Sequence, residues 1–337
     1  MDSDHSNAVN APVAAAPAEG VAPKSNRWSL LPDNDNHEDK QVPVTESNGD
    51  NDGRISFKEG GAKYRCEQFT ITRMNGVIQN HADTKREFHI KKYKLNDQYI
   101  VDVKLVDNVI TTNQANLTDA LNLLCEIDSI KCNAALKINE DTGKIVSIAN
   151  MNEVLSRWSD YRQEFLHRYS FVKDENIKKS IENFVAVADS NFKNEKALIT
   201  DFKTKPFFEV FFDEYLVHKD FSLLPYTLNY FSQLFEQVQL VVGMQQKIER
   251  QTPDTIQIQR TSALNRGSLD LKRMEEIYDL KFKPEIGYKF STFDFKQNST
   301  ILINTADQLI DAAEVTIEES VKNNVELIVT YKLRRIE

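Results

Sequence analysis

The chain has 337 residues, a net charge of −9 from 51 acidic and 42 basic side chains, and only ten glycines. Glycine lets a backbone adopt positive φ or approach a phosphate closely, so phosphate loops and dinucleotide fingerprints need clustered glycines. The five glycines beyond Gly61 lie far apart in the sequence. This spacing excludes nucleotide-binding and dinucleotide-binding enzymes of the usual kinds. No other motif in the sequence indicates a function with similar strength.

The first 60 residues differ in composition from the rest of the chain. They hold five basic against eleven acidic residues and five of the nine prolines, without apolar periodicity. Such a segment buries too little apolar surface to offset the entropy lost on ordering. We therefore predict a disordered acidic leader over residues 1–61, which acts as a solubilising segment or as a docking signal. The remaining chain is nearly neutral, so we expect no nucleic-acid partner.

Nothing near the N-terminus resembles a secretory signal, because the start is acidic and lacks a sustained apolar run. No later segment is apolar over the ~18 residues that a membrane span needs. Cys66, Cys125 and Cys132 are an odd number without CxxC spacing, which indicates buried thiols and argues against disulfides and a zinc site. We expect a soluble cytoplasmic protein without a membrane span, with export by a signal-independent route as an alternative.

Strand and helix patterns begin after the leader. Between Tyr64 and Leu105, apolar residues alternate with polar ones, which predicts antiparallel strands with one wet face. Leu117 to Ile127 follow helical spacing, and Leu136 to Ile148 predict a hairpin that turns at Gly143. We assign residues 62–150 to a first sheet-containing lobe.

A helical middle segment is predicted over residues 151–224. Its first helix carries one apolar stripe, and Asp174 is a candidate N-cap for a second helix. The stripe consists of Val154, Trp158, Tyr161, Phe165 and Tyr169.

The strand pattern returns after Gly243, and we assign residues 225–337 to a second sheet-containing lobe. Ile256 to Ile258 predict a strand, and Ser268 precedes a short helix. We predict a further strand from Ile286 to Phe295, and the unbroken alternation from Val325 to Leu333 predicts the last one.

These elements predict an α+β fold. It has two lobes of mainly antiparallel sheet with short helices, joined by the helical, aromatic-rich middle segment behind a disordered leader. The order of strands, short helix and hairpin occurs in residues 86–148 and again in residues 238–319, although the residue identities hardly match. A duplicated layout and two independent lobes both explain this order.

The middle of the chain is dense in aromatic residues. Eleven of the 32 aromatic residues lie between Phe202 and Phe235. Such a concentration forms either a core seam between lobes, the commoner case, or a hydrophobic groove for a protein partner or a small apolar ligand. The candidate binding residues are Phe207, Phe208, Phe211, Phe212, Tyr215, Tyr226 and Tyr230.

Residues 48–59 resemble the calcium loop of EF-hand proteins. That loop places oxygen ligands at positions 1, 3, 5, 7, 9 and 12, with glycine at position 6. Pro43 and the Gly60-Gly61 pair disrupt the places of the flanking helices, so a polar turn within the linker is the alternative. The resemblance implies Ca²⁺ ligands at Asn48, Asp50, Asp52, Arg54 through its carbonyl, Ser56 and Glu59.

No catalytic constellation is apparent in the sequence. The histidines are scattered, HExxH and GxSxG are absent, and we name no catalytic residue. Lys322, Lys332, Arg334 and Arg335 form a basic end that fits a solvated strand face better than a binding patch. We favour a non-enzymatic binding protein that uses a surface near the aromatic middle segment. The alternatives are a cargo, effector or assembly component of a bacterial secretion machine, and a calcium-responsive protein.

Overall fold

The computed structural model describes residues 57–219, 223–322 and 324–337, which form one antiparallel sheet of eleven strands. The predicted α+β class and the antiparallel pairing are confirmed. The strands are β1 (Gly60–Met74), β2 (Val77–Leu95), β3 (Gln98–Thr112), β4 (Ala134–Ile138), β5 (Ile145–Ile148), β6 (Tyr226–Phe231), β7 (Gln239–Gln251), β8 (Thr255–Leu264), β9 (Phe293–Asn304), β10 (Leu309–Val321) and β11 (Val325–Arg335).

The first and the last strand lie side by side inside the sheet. The strand order is β5-β4-β3-β2-β1-β11-β10-β9-β8-β7-β6, so the chain runs outward to one edge and returns from the other edge to the middle. β1 and β11 pair continuously, from Tyr64 opposite Arg335 to Met74 opposite Val325. This pairing satisfies backbone groups that each strand would otherwise expose as an edge. The two predicted groups of strands therefore form a single sheet.

The helices occupy the connections. The middle segment carries α2 to α5 and joins the two edges of the sheet, and none of the described helices is long and apolar enough to span a membrane. The helices are α1 (Thr118–Lys131), α2 (Met151–Arg168), α3 (Glu175–Lys193), α4 (Glu195–Thr204), α5 (Pro206–Phe211), α6 (Leu271–Lys281) and α7 (Lys283–Ile286).

One predicted strand was partly wrong. Residues 286–292 precede β9, and Ile286 ends α7. Pro284 lies in the first turn of this helix, and Gly287 closes it with a left-handed φ of 76°. Proline at the start and glycine just past the end are helix signals that outweigh the apolar pattern between them.

The same order of elements occurs twice along the sheet. β1-β2-β3-α1-β4-β5 and β6-β7-β8-α6-α7-β9-β10 each place their helices between two neighbouring antiparallel strands. The repeated order predicted from the sequence is therefore present in space, and β11 is the additional strand that joins the two sets.

The middle segment packs on one face of the sheet, here called the inner face. Phe207 of α5 stacks on Phe88 of β2 with ring centroids 4.0 Å apart. Phe211 meets Tyr64 of β1 edge to face at 5.6 Å. Both phenylalanines are at most 2% exposed. The opposite, outer face carries the alternate residues of each strand and faces solvent.

A buried ionic network ties the helices to the inner face. The ammonium of Lys205 lies 2.7 Å from Asp128 and 3.1 Å from Asp201, while Arg86 of β2 contacts Asp128 at 3.2 Å and Lys131 contacts Asp201 at 3.3 Å. Burial by itself lowers the pKa of Lys205, but the two carboxylates raise it well above its ordinary value. Burial likewise raises the pKa of Asp128, yet Lys205 and Arg86 hold it below its ordinary value. Lys205 and Asp128 are therefore both charged near neutral pH, and Lys205 bridges the two carboxylates.

Removing the central ammonium should destabilise the fold. We expect Lys205→Met to lower the free energy of unfolding by about 3–5 kcal/mol, because two buried carboxylates lose a partner. The nearby Lys203 is exposed, so Lys203→Met should change the free energy of unfolding by less than about 0.5 kcal/mol. Urea denaturation of the three proteins measures both values, and equal stability of the two variants would contradict the role of the network.

A second buried lysine holds the β9–β10 turn. The ammonium of Lys92, 1% exposed, donates to the carbonyls of Asp307 at 2.8 Å and Gln308 at 3.1 Å. Burial lowers the pKa of Lys92 to about 8, and the Asp307 carboxylate offsets part of this effect.

This lowered pKa predicts a pH-dependent stability. Between pH 8 and the ordinary value of 10.5, the unfolded chain holds the Lys92 proton and the folded chain does not, so folding is favoured as the pH rises. The free energy of unfolding, relative to that of Lys92→Met, should rise by about 2 kcal/mol between pH 7 and pH 10. Denaturant titrations of both proteins across this range measure the difference, and a constant or falling difference would refute the prediction.

Candidate functional site

Five of the seven aromatic residues predicted to bind a partner are buried in the core. They lie in α5 and in the turns that follow it. The four phenylalanines make ring contacts with each other, and those of α5 also contact rings of β1 and β2. A binding surface near this segment must therefore be formed by its exposed neighbours. The five residues, each at most 2% exposed, are Phe207, Phe208, Phe211, Phe212 and Tyr215.

The other two candidates, Tyr226 and Tyr230, lie on β6 and are half-buried. Tyr226 places its ring 5.9 Å from the guanidinium of Arg260. The Tyr230 hydroxyl accepts a hydrogen bond of 2.7 Å from Gln233, and its ring lies 4.9 Å from that of Phe295. Both tyrosines thus fix β6 to the core through the inner face.

Strand β6 forms one edge of the sheet, directly after the aromatic segment. It pairs with β7 from Tyr226 opposite Met244 to Phe231 opposite Gln239, without a bulge. Within the part of the chain that the structure describes, no strand pairs with its other side.

The backbone of alternate β6 residues faces this open edge. The Ser232 N–H donates to the Val238 carbonyl in the same register, so even-numbered residues bond to β7. The N–H and C=O groups of Thr227, Asn229 and Phe231 accordingly point away from β7. Their side chains are exposed.

The opposite edge of the sheet is protected. β5 has only four residues, and α4 packs beside it. The N–H of Ile148 at its end donates to the carboxylate of Glu195 at 2.6 Å. Short edge strands, charges, prolines and covering helices are the usual protection against unwanted strand pairing. β6 has six residues and pairs with β7 without a bulge; like β5 it contains no charged residue or proline, but it is longer.

A buried ion cluster supports β6 from the inner face. Asp213 contacts the guanidinium of Arg260 on β8 and lies 3.3 Å from the ammonium of Lys144 after the β4–β5 turn. Burial raises the pKa of Asp213, but Lys144 and Arg260 hold it below its ordinary value. Gly143 allows this approach, because a Cβ there would lie 2.1 Å from the Asp213 carbonyl oxygen. The cluster gives the edge strand a rigid base.

The cysteines and the histidines do not form a reactive group within the described residues. Burial raises the pKa of Cys66 to about 12 and that of Cys132 to about 11, so both are neutral thiols near pH 7. His89 contacts Glu87 at 3.1 Å, and His218 contacts the Asp141 carbonyl at 3.0 Å.

The predicted calcium ligands fall mostly outside the described residues. Asn48, Asp50, Asp52, Arg54 and Ser56 lie there, and Glu59 is the one ligand candidate that the structure describes. Its carboxylate accepts a hydrogen bond of 3.0 Å from the N–H of Lys94. Among the described residues, no three His, Cys, Asp or Glu side chains are arranged to hold a metal ion. Calcium binding at residues 48–59 stays a prediction.

Strand β6 has a sequence signal that the strand prediction missed. Tyr226, Leu228 and Tyr230 alternate with Thr227 and Asn229, which is the period-two pattern of a half-buried strand. The aromatic density of the segment suggested a helix or groove and masked this alternation. The open edge itself follows from the order of the whole sheet.

Comparison with known protein families found no matching family, and comparison with curated proteins found no significant match.

Calcium binding by residues 48–59 predicts saturable heat on titration with CaCl₂ that Glu59→Gln abolishes, because position 12 supplies a bidentate carboxylate. Glutamine keeps an oxygen that can accept from Lys94, so the variant retains that contact. Isothermal titration calorimetry of the two proteins makes the comparison. A flat titration of the unaltered chain would contradict the calcium hypothesis.

Proposed function

We propose that this chain is a non-enzymatic binding protein that pairs an extended segment of a partner protein with the open edge of β6. The observation that carries this proposal is the contrast between the two edges of the sheet. β5 is short and has α4 packed beside it, whereas β6 is longer, pairs with β7 without a bulge and is unpaired on its other side within the described residues.

Strand addition uses the backbone groups that such an edge presents. Main-chain hydrogen bonds supply affinity, and pockets for alternate side chains supply specificity. Thr227, Asn229 and Phe231 offer their N–H and C=O groups in one row, as the register with β7 requires. Exposed edges of this kind invite unwanted pairing, so a protein that protects one edge and leaves the other open has a use for the open one.

The side chains around β6 favour an apolar or uncharged partner segment. Phe231 is 37% exposed at the end of the strand, and Leu224 is 72% exposed just before its start. Between them the strand carries only threonine and asparagine on the exposed side. A partner strand with apolar residues at alternate positions would cover both ends.

The rigid base of β6 suits this role. Tyr226 over Arg260, and Arg260 with Asp213, fix the strand before a partner arrives. Preorganisation reduces the entropy lost on binding, so fewer contacts are needed for a given affinity. The sequence predicted a binding surface near the aromatic segment, and the open edge of β6 lies directly after that segment. The buried aromatic residues pack in the core.

A substitution at the open edge tests the proposal. Asn229→Pro removes an N–H that faces away from β7, a place where proline is tolerated in an edge strand. Asn229→Ala removes the side chain and keeps the N–H. Peptides selected from a displayed library with the unaltered chain should bind Asn229→Pro about five- to tenfold more weakly, because one edge hydrogen bond is worth about 1–1.5 kcal/mol, and Asn229→Ala within about twofold.

Hydrogen exchange supplies the second readout. The amides of Thr227, Asn229 and Phe231 should exchange quickly in the free chain and slow down in the complex, while the Leu228 amide is slow in both. If the chain pairs with a second copy through β6, Asn229→Pro should abolish the dimer and Asn229→Ala should preserve it. Equal peptide binding by the two variants, or slow exchange at all three amides in the free chain, would disprove strand addition.

A further inference from the structure

A depression in the outer face of the sheet, away from β6, brings two arginines together. Its volume is about 460 Å³, within the range of small-molecule sites. Residues of β1, β8, β9, β10 and β11 line it, so the outer face is concave at this place. Arg65 of β1 and Arg334 of β11 lie directly opposite each other on it.

This arginine pair is an exception on its own pair of strands. Elsewhere on the outer face of β1 and β11, charges are complementary: Glu67 lies opposite Lys332, and Arg73 lies opposite Glu326 with an ion pair of 3.6 Å. Like charges directly opposite on neighbouring strands destabilise a sheet. The repulsion between Arg65 and Arg334 therefore opposes the pairing of β1 with β11.

Within the described part of the chain, only one of the two arginines forms an ion pair with a neighbouring carboxylate. Arg65 reaches Glu87 at 3.7 Å, and Glu87 also contacts His89 at 3.1 Å. Arg334 is exposed and forms no ion pair with any carboxylate of the described residues. Its guanidinium therefore has its donors available to a ligand in the depression.

The register leaves room beside Arg334 for such a ligand. Ala312 of β10 lies opposite Arg334, and Leu302 of β9 lies opposite Ala312. The small alanine makes space, and Leu302 supplies an apolar wall. Gln257 of β8, opposite Leu302, lines the far side and offers an amide for hydrogen bonding.

The charge of the lining selects the ligand class. Three cationic side chains and two carboxylates line the depression, which leaves one net positive charge in a protein of net charge −9. Lys332 lies between the two carboxylates and contacts Glu314 at 3.5 Å, so the excess positive charge belongs to the arginine pair. A single negative charge is complementary, whereas a polyanion would also meet Glu67 and Glu314.

We propose that this depression binds a small organic carboxylate, held by the guanidinium groups of Arg65 and Arg334 with its uncharged body over Ala312 and Leu302. Guanidinium forks match carboxylates in a bidentate geometry, and an anion between two arginines removes their mutual repulsion. The site is independent of strand addition, because it shares no residue with β6.

Calorimetric titration of the full chain with benzoate tests the site. Benzoate should bind saturably, uncharged benzamide at least about tenfold more weakly, and inorganic phosphate more weakly than benzoate. Arg334→Ala and Arg65→Ala should each weaken benzoate binding at least about tenfold, and Arg334→Lys should retain part of it because a charge remains without the fork. Arg73→Ala is the matched control on the same face and should leave benzoate binding unchanged.

A measurement on the free chain tests the charge conflict itself. Arg334→Gln should raise the melting temperature of the free chain by about 1–2 °C, since it removes the repulsion from Arg65. Arg73→Gln should not raise it, because it removes a complementary charge. The inference would be overturned by equal binding of benzamide and benzoate, by tighter binding of phosphate, or by a lower melting temperature of Arg334→Gln. Asn229→Pro should leave benzoate binding intact, which separates this site from the proposed function.

Discussion

The pairing of the first strand with the last is the constraint on which the rest of this structure depends. β1 and β11 join over their whole shared length and turn two groups of strands into one sheet. Because the first and the last strand lie in the middle of the sheet, its edges fall at β5 and β6, and the chain must cross between them. The helices of the middle segment make that crossing and cover the inner face.

The crossing explains why the densest aromatic segment is a core element. A sheet of eleven strands has a wide apolar face that only bulky side chains can cover, and α5 brings Phe207 and Phe211 onto β1 and β2. Charged groups are buried in the same layer. Lys205, between α4 and α5, pairs with Asp128 of α1, and Arg260 of β8 pairs with Asp213, so these buried ion pairs constrain the position of the helical layer.

Both proposed surfaces are consequences of the same pairing. It leaves β6 as an open edge beside the aromatic core, and it sets Arg65 opposite Arg334 on the outer face. As proposed, one surface would recognise a peptide backbone and the other a negative charge, on separate strands of a single sheet. Neither requires a reactive side chain. The helical layer that gives each surface its rigid support lies on the inner face.

Much of the fold could be predicted from local patterns. The alternation from Val325 to Leu333 predicted β11, and Asp174 caps α3 by accepting from Asn176 and Ile177. The aromatic concentration that includes Phe207 and Tyr215 indicated a core seam as the commoner case, and both residues are buried. The prediction was wrong at Ile286, because it gave the apolar pattern more weight than the proline and glycine signals for a helix. It also missed β6, because the density of aromatic residues obscured the alternation of polar and apolar residues.

The sequence by itself determined which segments are strands and helices and which faces are apolar, because periodicity is a property of neighbouring residues. The tertiary structure alone decided that β1 lies beside β11, that β6 is an open edge and that Arg65 faces Arg334. These are contacts between residues far apart in the chain. A strand's own pattern states which side is buried but carries no information on which other strand satisfies its backbone.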